Sequence, residues 1–190
     1  MSENSKIKVV INRRAVSRLT MRATKEGEIR VSAPLWVPRR QIMAFIENNR
    51  EWMTRAVDER TRQAERTKAF FSKLPLSSRA EKDAAKALLD EKIRPLLAQH
   101  CASMKVMPAS ITYKATRSRW GSCKTATGEI SLSLYLLLLP DCCIEHTLVH
   151  ELAHLIVPNH SPAFYAVMDA EFPEWKKART IARKAFKSEI

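Results

Sequence analysis

In the first third of the chain, apolar and polar residues alternate. Ile7, Val9 and Ile11 carry the alternation over residues 6–12, and Leu19, Met21 and Ala23 carry it over 18–24. After the turn-like Glu26-Gly27-Glu28, residues 29–33 repeat it. A period of two is that of a half-buried strand, so three short strands are predicted, expected to form an antiparallel sheet. Arg13, Arg14, Arg18, Arg22 and Arg30 fall on or beside its polar positions. Beyond Pro34 and Pro38 the period lengthens: Ile42, Phe45, Ile46, Met53 and Val57 approximate helical spacing. One long amphipathic helix is expected over 38–65, with Arg39, Arg40, Arg50, Arg55 and Arg62 on its outer face.

Residues 73–78, with Pro75, read as a linker. A second helix is predicted over 79–104, with Ala84, Leu88, Leu89, Ile93, Leu96 and Leu97 as its apolar stripe and a kink at Pro95. Strands are expected over 110–115 and 129–136. Asp141 is the expected cap of a helix reaching about 157, where Pro158 stops it. Ser161-Pro162 then starts another helix, and Pro173 divides the last two. The chain thus divides into 1–72, basic strands and a long helix within the same compact unit, and 73–190, which carries the chemistry described below. The fold class expected is α+β.

Composition sharpens the picture through charge. Of 190 residues, 33 are Lys or Arg and 20 are Asp or Glu, a net +13. The first 75 residues hold 17 of these cations against 8 anions. Such a balance favours an anionic neighbour, nucleic acid or nucleotide, and excludes an acidic solvating chain. Only three glycines occur, which excludes a glycine-rich phosphate loop. The four cysteines form no CxxC pair, the start MSENSKIKVV lacks the apolar run of a signal peptide, and the longest apolar run, 132–139, is too short to span a bilayer. A cytoplasmic protein with reduced thiols and no membrane segment is expected.

The chemistry concentrates in His150-Glu151-Leu152-Ala153-His154. On a helix, His150 and His154 share one face a turn apart and can hold one metal ion. Glu151 is rotated about 100° from them and can reach a water on that ion as general base. His160 follows six residues after His154, the spacing of HExxHxxGxxH sites, with Val157 where those have glycine. Pro158-Asn159 is the expected turn, since Asn tolerates left-handed backbone. Glu171 and Glu174 are rival third ligands, and His146, one turn before His150, is expected in a packing or outer role. Arg119 and Trp120 precede the metal helix and are expected to edge a cleft with Gly121 and Ser122. There Arg119 would face an oxyanion or phosphate. Tyr165 is a candidate oxyanion donor.

Arg119-Trp120-Gly121-Ser122-Cys123 followed by HELAHLIVPNHSPAF resembles the YgjP-like family of zinc metallopeptidases, relatives of SprT-like and WLM domains. Glu51-Trp52-Met53 and Pro173-Glu174-Trp175 fit it too. The resemblance implies a zincin-like fold, one Zn²⁺ on His150, His154 and His160, and Glu151 as base. The family often has Asn where this chain has Ser133. The function expected is a zinc-dependent hydrolase, a metallopeptidase acting on peptide or protein. Two alternatives stand beside it: a metal-dependent nucleoside triphosphate pyrophosphohydrolase, and a nucleic-acid-binding module with a structural zinc.

Overall fold

The computed structural model describes residues 7–188, with side chains to 184. Lys6, the expected start of the first strand, and residues 189–190 lie outside this range. Backbone contacts gather in two compact units, the first ending at Lys68 and the second starting at Ala69, where the hydrophobic pattern set its boundary at 72 inside one unit. The physical basis of the division is that each closes a core of its own.

In the first unit, β1 (Val9–Arg14), β2 (Thr20–Ala23) and β3 (Ile29–Pro34) form a sheet in the order β1-β3-β2. The β2–β3 hairpin is antiparallel and turns through Gly27, whose φ of 77° suits glycine. On the other edge β1 runs parallel to β3, so the sheet is mixed rather than antiparallel throughout. Alternation reports which face is buried, and a strand has the same alternation in either direction. Ile29, Val31 and Ala33 are buried with Ile42 of α1 (Arg39–Asn48) and Met53 of α2 (Arg50–Ser72). These two helices replace the single one expected. The break falls at Asn49, whose Nδ2 donates to the Phe45 carbonyl at 2.7 Å, so its amide completes the end of α1. The five outer-face arginines are exposed.

The second unit begins with α3 (Arg79–Met104), which runs unbroken through Pro95. Ser78 and Glu81 form a reciprocal capping box, satisfying two of the free amides at the helix start. Of the stripe expected, Leu89 and Ile93 are buried and Leu96 and Leu97 pack on the core, while Leu88 is exposed and Ala85, His100 and Cys101 are buried as well. A second mixed sheet combines β4 (Ser110–Lys114), β5 (Gly121–Lys124) and β6 (Glu129–Ser133) in the order β4-β6-β5. β6 is shorter than expected because Leu134–Leu138 tighten into a 3-10 helix. Buried Ser133 caps that turn by accepting from Tyr135 N at 3.3 Å, and it donates to the Thr116 carbonyl at 2.6 Å.

Three helices follow: α4 (Asp141–Ala153), α5 (Pro162–Glu171) and α6 (Trp175–Ser188). Asp141 is the first helical residue rather than the cap, and its carboxylate accepts from Lys92 Nζ at 2.8 Å. α4 buries Leu148, Val149, Leu152 and Ala153 completely and packs on α3, α5, α6, β5 and β6. Packed on so many sides, it is a well-supported place for functional side chains. The class is α+β, with small sheets beside helices and the His150–His154 stretch at the end of α4. Among the described residues no helix is long and apolar enough to cross a membrane.

Candidate metal centre

α4 sets the rings of His150 and His154 4.9 Å apart, centroid to centroid. The chain then leaves the helix by a tightened turn in which Val157 N donates to the Ala153 carbonyl at 2.9 Å. Asn159 Oδ1 accepts from Ser161 N at 3.2 Å. That side-chain turn does what a left-handed backbone was expected to do; among described non-glycine residues only Lys105 has a positive φ. It returns His160 to ring distances of 5.0 Å from His150 and 4.8 Å from His154. One donor nitrogen from each of the three lies within 4.8 Å of the other two. The Nε2 atoms of His150 and His160 are 3.1 Å apart. Tetrahedral zinc with bonds of about 2.0–2.1 Å separates its nitrogens by about 3.3 Å.

The donor chemistry fits a divalent ion. His154 Nδ1–H donates to the Val157 carbonyl at 3.3 Å, which leaves Nε2 with its lone pair. Burial, then the neighbouring histidines and Arg179, hold His150 down to about 3, so its ring is neutral, the form that ligates. Burial also lowers His154. Beneath all three rings lies Phe164, fully buried, its centroid 5.0, 4.7 and 4.8 Å from His150, His154 and His160. This apolar floor excludes water from one side. The rival ligands sit elsewhere. Glu171 accepts from His100 Nδ1 at 2.5 Å and from Ser103 Oγ at 2.7 Å, while the other ring nitrogen of His100 meets Glu145 at 3.1 Å. Glu174 pairs with Lys177 at 2.8 Å.

Glu151 is 5% exposed and lies against Gly121 at the start of β5. Burial pushes its carboxyl up to about 7, and the Arg119 guanidinium pulls in the opposite direction. Burial and the charge of Glu151 together raise the Cys123 thiol, which therefore stays protonated and unreactive. A Cβ at Gly121 would stand 2.5 Å from Glu151 Oε1 and 2.8 Å from its Cγ. Gly121→Ala is therefore expected to cost about 1–3 kcal/mol in urea unfolding through overpacking. Adding Glu151→Ala should return most of that loss. A double variant as unstable as the sum of both changes would place the strain elsewhere.

Beside the histidines is a cavity of about 320 Å³ lined by His146, His150, His160, Phe164, Tyr165, Trp175 and Arg179. Tyr165 stacks on Trp175 at 5.3 Å, and Trp175 on His146 at 6.3 Å. Of the expected cleft residues, Gly121 abuts Glu151, Ser122 pairs with Ser131 in the sheet, and Trp120 packs on the core edge-on to Phe70. Trp120 is not among the residues lining the cavity. In the sequence Phe164 and Trp175 stand out only as members of the stretches HSPAF and Pro173-Glu174-Trp175, with no role given to either, and Arg179 does not stand out. Spacing adds a local signal: Phe164 and Met168 are one turn apart on the buried face of α5, and Trp175 and Arg179 one turn apart on α6.

Compared with known families, residues 76–185 match the YgjP-like metallopeptidase domain. No curated protein matches the chain. Among solved structures, the metallopeptidase zymogen of Pyrococcus abyssi abylysin is similar at 21% identity and a TM-score of 0.44, over 50% of this chain and 93% of that one.

Proposed function

Since the chain belongs to the YgjP-like metallopeptidase family, we propose that it is a zinc-dependent peptidase in which His150, His154 and His160 hold the ion and Glu151 is the general base. The observation that supports this most is the convergence of three imidazoles, His150, His154 and His160, at the helix that also carries the buried carboxylate Glu151. Zinc held there would polarise both a water molecule and the substrate carbonyl. Glu151 takes a proton from that water and passes it to the departing nitrogen; a carboxyl raised to about 7 is suited to both transfers. Arg119, whose charge acts on Glu151, is the residue that would stabilise the oxygen that gains negative charge. Tyr165, half-buried on the cavity wall, is a further donor toward it. The four free cysteines suit a cytoplasmic setting.

A second reading keeps the metal and changes the substrate to a nucleoside triphosphate. The positive charges of Arg119 and Arg179 near the site favour it. A nucleic-acid-binding module with a structural zinc accounts for the basic first unit, whose exposed arginines suit an anionic neighbour, but gives Glu151 no purpose: burying a carboxylate is costly where no chemistry uses it. The readings separate when zinc-loaded protein is incubated with denatured protein and, separately, with nucleoside triphosphates. New peptide termini by mass spectrometry are expected. Pyrophosphate release without peptide cleavage would replace the peptidase reading by the second. Neither activity, with steeply salt-dependent DNA binding, would replace it by the third.

A further inference from the structure

The cavity beside the histidines has one permanently charged lining residue, Arg179. The two lysines that precede it on α6 are neutralised: Lys176 pairs with Asp169 at 3.1 Å and Lys177 with Glu174 at 2.8 Å. Arg179 has no carboxylate partner among the described residues, and its guanidinium lies 6.0 Å from the Trp175 ring centroid. That ring is held in place by its own Nε1–H, which donates to Asp169 at 2.8 Å. A fixed aromatic wall thus carries an uncompensated cation at a cavity that also opens on His150 and His160.

We propose that Arg179 binds the free C-terminal carboxylate of a peptide substrate, with the terminal side chain against Trp175 and Tyr165. This rests on the peptidase reading and narrows it to cleavage near a C-terminus. A guanidinium is matched to a carboxylate by its paired N–H donors. The volume, about 320 Å³, is at the small end of ligand sites and suits one or two residues. Arg179 is the one permanently charged side chain lining the cavity, which matches the single charge of a carboxylate. In the reaction the peptide C–N bond breaks as water oxygen bonds to the carbonyl carbon. The protons of that water go to the released amine, and the new carboxylate stays with the upstream product.

The test is calorimetric binding of an N-acetylated peptide ending in phenylalanine, as free acid and as C-terminal amide, to zinc-loaded full-length protein. The wild type is expected to bind the acid about tenfold more tightly, the scale of a charged hydrogen-bond pair. Arg179→Ala should erase that ratio while leaving the amide affinity unchanged, and Arg179→Lys should keep part of it. Equal affinities in the wild type, or a ratio that survives Arg179→Ala, would overturn the assignment. So would Arg179-dependent binding of a nucleoside triphosphate tighter than that of the acid. Failure of the peptidase reading looks different: the acid preference persists, yet neither peptide is cleaved.

Discussion

Glu151→Gln is expected to retain its metal and lose about 10²–10⁴-fold in turnover, the usual contribution of a positioned acid–base group. Glutamine has the shape of a protonated glutamate, so it fits against Gly121 where alanine at 121 would not. It cannot accept a proton, so the transfer from water to leaving nitrogen loses its carrier. The fold should not suffer. Burial already favours the neutral form of this carboxyl, pushing it to about 7. An amide there avoids the cost of burying a charge. Zinc content by mass spectrometry, the unfolding midpoint and peptide turnover would be measured side by side. Undiminished turnover would falsify the role given to Glu151, and loss of metal as well would mean the residue builds the site instead of working in it.

His154→Ala is expected to lower zinc content from about one ion per chain to a small fraction of that after dialysis. It should also remove stabilisation by added zinc. At zinc a thousandfold above its Kd, the wild type would gain about 4 kcal/mol, and the variant almost none. The substitution tests the ligand and little else. His154 is only half-buried at the end of α4, and it hydrogen-bonds to the backbone just beyond, at the Val157 carbonyl. Without metal, the two proteins should therefore melt within about 1 kcal/mol of each other. The comparison is of melting curves with and without zinc, together with metal analysis. Full occupancy in the variant would remove His154 from the ligand set.

The structure shows which features were legible before it. His150, Glu151 and His154 sit within five consecutive residues, and a helix alone settles which of them share a face. The strands of the first unit and the span of α3 were legible for the same reason, since burial of one face imprints a period. The misplacements share a cause too. The period cannot report strand direction, so β1 was expected antiparallel to its neighbour and runs parallel to β3. It passed smoothly over the helix break at Asn49. It also missed β5, four residues too short to show any alternation, though this strand carries the Gly121 against which Glu151 rests.

The sequence by itself determined the chemistry available: a helical His pair with its carboxylate, a third histidine at a spacing that can return, and an excess of positive charge weighted to the first 75 residues. Only tertiary structure decided how these are used. His100 on α3 engages Glu171, a rival ligand. Phe164 from α5 floors the three imidazoles, and Arg179 from α6 joins their cavity. The reason is physical. Ligand spacing along one helix is a local property of the backbone, whereas the companions of a side chain are set by the packing of helices far apart in the chain, and no short-range pattern encodes that packing.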